Sequence, residues 1–157
     1  MQRNRIYTDH LVCLMSARHP LAGAPLTLDD YCAYPHVVNS AERGQMINDL
    51  LAAQGRFRRI RLEVSLYQSA LRLVSDSDSL ATVTTHVARQ FLAEQDLYVA
   101  ELPFATPELE HGFVWPARLD NQASHRWLRE TLADELRQIM AGSGSRAALC
   151  SSGEAQG

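Results

Sequence analysis

Side chains able to do acid–base or nucleophilic work are scattered along this chain, with none of the short spacings that catalysis needs. The six histidines are His10, His19, His36, His86, His111 and His125. None stands in HExxH or another short metal-ligand motif. Cys13, Cys32 and Cys150 are odd in number and form no CxxC, so neither a disulfide framework nor a zinc site is indicated. Cys13 and Cys32 sit among apolar neighbours and read as small core residues. No GxSxG elbow or phosphate loop occurs. Gly142-Ser-Gly-Ser145 falls in a tail too loose to aim a nucleophile. Glu110 and His111 could form an acid–base pair, but adjacent residues on a strand point to opposite faces. No catalytic residue, metal site or cofactor site is expected.

Binding chemistry is better supported. Three places put hydroxyl or amide groups where a strand gives way to a helix: Asn39-Ser40, Ser65-Leu66-Tyr67 and Thr84-Thr85. In open α/β sheets, ligands bind beyond the carboxyl ends of the strands. Helix N-termini there present free N–H groups and a positive dipole end, suited to anions. These seven residues are the candidate ligand contacts. Ser65 and Thr84 also suit plain N-capping, which makes Asn39 and Ser40 the stronger candidates. Tyr7, Phe113 and Trp115 either line a cleft or belong to the core.

Those junctions require strands and helices in alternation, and the hydrophobic pattern supplies them. Residues 11–16 read as a buried strand bounded by Pro20. Thr27 is a helix N-cap, with Asp29 and Asp30 placed for the helix dipole and Leu26 and Tyr31 placed as a hydrophobic staple. Pro35 stops that helix. A strand at 36–39 and a polar turn at 40–44 precede a helix carrying Met46, Ile47, Leu50 and Leu51, stopped at Gly55. Ile60, Leu62 and Val64 alternate with Arg59, Arg61 and Glu63, the period of a strand buried on one face. Ser65 with Gln68 fits a capping box, predicting a helix from about 66 with Ala70, Leu71 and Val74 inward. After a turn at 76–79 come a strand at 80–83, a helix capped by Thr84 or Thr85, a strand at 97–102 and a strand ended by Pro116. Leu128, Leu132, Leu136 and Ile139 or Met140, with Trp127 beside them, mark a last helix capped by Asn121 or Ser124. Residues 142–157 are expected to be disordered. The alternation argues an α/β fold with a mainly parallel sheet.

Composition bounds the function classes. At 157 residues, with 46% hydrophobic and 21% charged, the chain suits one soluble domain. No apolar stretch approaches the roughly 20 residues of a membrane span. Residues 1–10 lack the apolar core of a signal peptide, so the cytoplasm is the expected compartment. The net charge is -3 and all 15 basic residues are arginine. Arg56, Arg58, Arg59 and Arg61 are the only basic cluster, and they read as a solvated strand edge. DNA binding by this chain alone is not expected.

Several segments, in order, resemble the effector-binding domain of LysR-type transcriptional regulators. They are Asp9-His-Leu-Val-Cys-Leu, Arg18-His-Pro-Leu-Ala, Leu26-Thr-Leu-Asp-Asp and Pro35-His-Val-Val. Leu50-Leu-Ala-Ala-Gln-Gly55, Leu80-Ala-Thr-Val-Thr-Thr-His-Val-Ala-Arg89 and His125-Arg-Trp-Leu-Arg129 follow. Their order and spacing over about 6–140 carry the likeness. It implies a type II periplasmic-binding-protein-like α/β fold, with the second lobe nearly complete and the first only partial. Residues 1–141 would be a partial effector domain. Within it 20–100 form the second lobe, 1–19 and 103–118 the crossover strands, and 121–141 the C-terminal helix.

The resemblance implies a sensor for a small organic or aromatic acid, homo-oligomeric through its effector domains and reaching DNA only via an absent N-terminal winged helix-turn-helix. An alternative is a stand-alone interaction module that pairs with intact regulators of the same family. An enzyme on the same scaffold is the third reading, without a motif behind it.

Overall fold

The computed structural model describes residues 1–40 and 44–141. The tail at 142–157 and part of the 40–44 turn lie outside them. Strand β1 (Gln2–Asp9) leads through His10 into β2 (Leu11–Ser16), whose six residues are all buried. Strands β5 (Ala81–Thr84) and β6 (Leu97–Ala100) flank β2, both antiparallel to it. Beyond β5 runs β3 (Pro35–Asn39), joined where the Val37 N–H donates to the Leu80 carbonyl at 2.9 Å and the Leu80 N–H to the Pro35 carbonyl at 2.8 Å. Strand β4 (Arg59–Val64) lies parallel to β3 at the edge. The spatial order is therefore β4-β3-β5-β2-β6. The expected mainly parallel sheet is corrected at its centre. Strand β2 follows directly from β1, so no helical crossover ties its direction to its neighbours.

Alternation along β2 sends side chains to both faces and builds a core on each. Val12 and Leu14 pack with Leu71 and Val74 of α3 (Tyr67–Ser75) and Phe91 of α4 (Thr85–Leu92). Cys13 and Met15 pack with Tyr31 of α1 (Leu28–Ala33) and with Ile47 and Leu51 of α2 (Gly44–Ala52). Each such side chain contributes about 1.5–3 kcal/mol on burial. Cys32, by contrast, is only half-buried.

Local signals act as their chemistry requires. The Thr27 hydroxyl oxygen accepts from the Asp30 N–H at 3.1 Å, capping α1, and Leu26 joins Tyr31 in one cluster. Gly55, at φ +67°, takes the left-handed conformation that ends α2, and the Arg56 N–H donates to the Leu51 carbonyl at 2.9 Å. The His19 ring locks the turn after β2. Its Nδ1 accepts from the Leu21 N–H at 3.1 Å, so Nε2 carries the proton and donates to the Asp78 carbonyl at 3.1 Å.

Strand β7 (Leu109–Trp115) pairs antiparallel with β1 in a separate ribbon. A Cβ on Gly112 would fall 2.0 Å from the Asn4 carbonyl oxygen, next to the register shift between Arg5 and Tyr7, so the two backbones meet only at glycine. Helix α5 (Ala123–Ala141) packs on β1. Ser124 lies inside its first turn, not at its cap. Its apolar stripe is largely exposed: Trp127 is 67% exposed and Ile139 58%, Leu136 and Met140 are half-buried, and only Ala133 is fully buried. The single buried face expected of β4 is not formed. The pairing with β3 shifts between His36↔Ile60 and Val37↔Leu62, leaving Arg61 as an extra residue and sending Ile60 and Leu62 to opposite faces, 46% and 44% exposed on this edge strand. Among the described residues, no helix is long and apolar enough to cross a membrane.

Candidate functional site

Strands β3, β4 and β5 run in one direction, so their carboxyl ends share one edge of the sheet. All seven candidate residues stand along it. Asn39 is buried at the end of β3. Ser40 is exposed, and its backbone N–H and hydroxyl both donate to the Val64 carbonyl, at 2.9 and 3.3 Å, tying β3 to β4. Ser65 and Leu66 are exposed beyond β4, and Tyr67 begins α3 with its ring against the core. Thr84 and Thr85 begin α4.

The two helix starts on this edge differ in what fills them. The Thr84 hydroxyl oxygen accepts from the Val87 N–H at 3.4 Å, the expected cap. Asp9, only 3% exposed at the end of β1, places its carboxylate against the same turn. The Thr85 hydroxyl donates to Oδ1, the His10 N–H donates to Oδ1 at 2.8 Å and the His86 N–H to Oδ2 at 3.4 Å. The Thr85 N–H donates to the His10 carbonyl at 2.9 Å. The positive end of α4 is thus already matched by a carboxylate of the chain itself.

Helix α3 is otherwise. The capping box read from Ser65 and Gln68 is not formed. The N-cap is Leu66, extended at φ -117° and ψ 130°, and its side chain makes no capping hydrogen bond. The helix begins one residue later than that box requires, so the cap position falls on a side chain with no acceptor. Its leading N–H groups have no intrahelical acceptors and lie at the same edge of the sheet. Ser40, Ser65 and Tyr67 stand beside this helix terminus.

Beneath the sheet lies a buried polar network. The Tyr31 hydroxyl and Thr82 Oγ1 are 2.6 Å apart, and His36 Nε2 is 2.7 Å from the Tyr31 carbonyl. Burial pushes His36 down to about 4, outweighing the Tyr31 carbonyl bond, and so holds the ring neutral at pH 7. Burial likewise pushes the Cys13 thiol up to about 12 and raises the Tyr31 phenol. Glu110 is committed to Arg5 at 2.8 Å, while His111 stacks on Tyr7 with ring centres 4.7 Å apart. Phe113 is half-buried. Trp115 lies under the Arg129 guanidinium at 4.2 Å and donates to Asp120 at 3.0 Å. Among the described residues, no His, Cys, Asp and Glu cluster could hold a metal ion.

The model of the LysR substrate binding domain matches residues 1–137. The chain belongs to the LysR substrate-binding domain family. It is 31% identical over 134 residues to the HTH-type transcriptional activator NahR of Pseudomonas putida, covering 84% of this chain and 45% of NahR. The chain thus spans about half the length of the curated relatives it matches. The regulatory domain of MexT, a transcriptional activator in Pseudomonas aeruginosa, superposes with a TM-score of 0.72 at 29% identity, over 84% of this chain and 66% of that one. The effector binding domain of QuiR in complex with shikimate shares the fold, with a TM-score of 0.60 at 18% identity over 83% of this chain and 66% of that one. These LysR effector domains have the type II periplasmic-binding-protein-like architecture, and the sheet order described above is part of it.

Asp9 is the member of this edge that the reading of single motifs missed. Its partner Thr85 is 76 residues away, and nothing local marks Asp9 as buried.

Proposed function

We propose that this LysR-family domain senses a small organic or aromatic acid at the carboxyl edge of β3, β4 and β5. The observation that carries the reading is the contrast between the two helix starts. Helix α4 already holds the Asp9 carboxylate, whereas the N-cap residue of α3, Leu66, gives its helix no side-chain capping bond. A ligand carboxylate on α3 gains the interaction that Asp9 supplies to α4. Ser40, Ser65, Leu66 and Tyr67 surround that position, and Asn39 shapes its floor. Thr84 and Thr85 hold α4 and Asp9 in place and border the site. Shikimate, bound by QuiR, is itself a carboxylate, which supports the acid class.

In this reading residues 20–100 form one lobe. The segments 1–19 and 103–118 cross to another, on which 121–141 packs. The domain acts in the cytoplasm, forms homo-oligomers and performs no catalysis. It reaches DNA through a helix-turn-helix module of the kind the relatives' names declare.

Thermal-shift titration with paired acids and their amides tests the proposal. An acid present at 100 times its Kd should add about 2.7 kcal/mol of stability, and its amide far less. Equal shifts from acid and amide, or no shift across aromatic and aliphatic acids, would remove the anion site from this domain.

A further inference from the structure

A cavity of about 520 Å³ lies between α5 and the β1–β7 ribbon, and none of the seven candidate residues lines it. Its size falls within the roughly 300–1,000 Å³ of small-molecule sites. Arg3 of β1 and Arg126, Arg129 and Arg137 of α5 border it. The α5 members, with Glu130 and Asp134 between them, recur at intervals of three and four, the spacing of one helix face.

The carboxylates on this wall answer the arginines unevenly. Arg137 Nη1 donates to Asp134 Oδ1 at 2.9 Å, which settles that pair. Arg129 is nearly buried, its side chain 13% exposed. Its guanidinium stacks on Trp115 and donates to the Leu119 and Asp120 carbonyls, both at 3.3 Å. His125 Nδ1 accepts from it as well, because arginine only donates. These contacts fix the group without neutralising it. The carboxylate within reach, Asp120 Oδ1, is 3.8 Å away and already accepts the Trp115 Nε1–H at 3.0 Å. A cation so far out of water ordinarily has a carboxylate at hydrogen-bond distance. Among the described residues, Arg3 and Arg126 make no ion pair, and Glu130 makes none either. One carboxylate therefore stands against two unpaired guanidiniums and a third that is answered only at long range.

We infer that the α5 cavity is a second anion site, one that takes a doubly charged phosphate group and has room for the organic part that carries it. A phosphate offers three acceptor oxygens, and the wall offers the forks of Arg3, Arg126 and the fixed Arg129. Glu130 is the competing charge that such a ligand must outbid. The inference does not rest on acid binding at α3.

Isothermal titration calorimetry on the full chain tests it, with glucose 6-phosphate, inorganic phosphate, gluconate and glucose as probes. Glucose 6-phosphate should bind one to one and more weakly as salt rises, with gluconate far weaker and glucose silent. Inorganic phosphate distinguishes a free ion from an ester as the better occupant. Arg3→Gln and Arg126→Gln should each weaken binding roughly tenfold. Glu130→Gln should tighten it about threefold, a gain that no misfolded variant would give. Silence from both phosphates, equal binding of gluconate, undiminished binding in the arginine variants, or weaker binding in Glu130→Gln would each overturn the inference. So would loss of phosphate binding in Leu66→Asp, which would put the phosphate at the α3 terminus. Phosphate binding that depends on Arg3 and Arg126, in a chain that gives no thermal shift with acids, would leave this site standing while the effector reading falls.

Discussion

Helices α3 and α4 are nearly equal in length, nine and eight residues, and both start at the same edge of one sheet. Both follow a strand through a short junction containing a hydroxyl residue. At α4 the junction is closed. Thr84 caps one N–H, and Asp9 arrives from β1 to meet the Thr85 hydroxyl and the His86 N–H. At α3 the cap position is held by Leu66, whose side chain makes no capping bond. The difference teaches how one edge can be both rigid and receptive. A helix start that draws a carboxylate from its own chain anchors β1, and one whose N-cap side chain supplies none is where the proposal above places the ligand's carboxylate.

The contrast can be broken or sharpened by experiment, and the largest effect concerns the layer both helices stand on. His36 is buried with its folded-state pKa lowered to about 4 from an ordinary 6.5, chiefly by burial. The unfolded chain therefore binds the proton first as pH falls. Stability is full above about pH 6.5 and declines toward pH 4, by about 3 kcal/mol in all. Urea unfolding across that range should show the decline, and His36→Phe should flatten it. The two helix starts are thus best compared at neutral pH.

Next in size is Asp9→Ala. It leaves the Thr85 hydroxyl and the α4 amides buried without their acceptor, and should cost about 2 kcal/mol in urea unfolding. A smaller cost than that of Thr84→Ala would show that the carboxylate does not hold α4, and the contrast would collapse. Thr84→Ala itself should cost about 1 kcal/mol, the usual value of a lost cap. The smallest stability change is the sharpest test. Leu66→Asp builds into α3 the carboxylate that α4 already has. It should raise stability by about 0.5–1 kcal/mol and abolish the thermal shift given by acids. Retained acid binding in that variant would place the anion elsewhere.

Much of this domain was legible residue by residue. The Thr27 cap, the Gly55 stop, the buried run of β2 and the Thr84 cap each depend on the few residues around them. So does the placement of the seven candidate residues along one edge of the sheet, since strand-to-helix junctions are read locally. The Ser65 capping box was legible and misleading. The pattern is present, but the helix starts one residue later, and a single step of phase moves the cap from a hydroxyl to a leucine. The apolar residues of β4 were read as one buried face because alternation assumes an unbroken strand, and the extra residue at Arg61, visible only in the pairing with β3, sends Ile60 and Leu62 to opposite faces. The stripe on α5 was read correctly as a stripe, and its exposure lies beyond what periodicity can say.

The amino-acid sequence by itself determined the alternation of strands and helices, the places where helices begin and end, and the family. Backbone sterics, capping and short-range periodicity act over a few residues, and the ordered segments from Asp9 to Arg129 suffice for the likeness. Only the tertiary structure decided that Asp9 fills α4, that Leu66 takes the cap position of α3, and that β4 lies at the edge of the sheet among the described residues. Each of those depends on which distant segment arrives to bury or satisfy a group, and burial is a property of the packed chain.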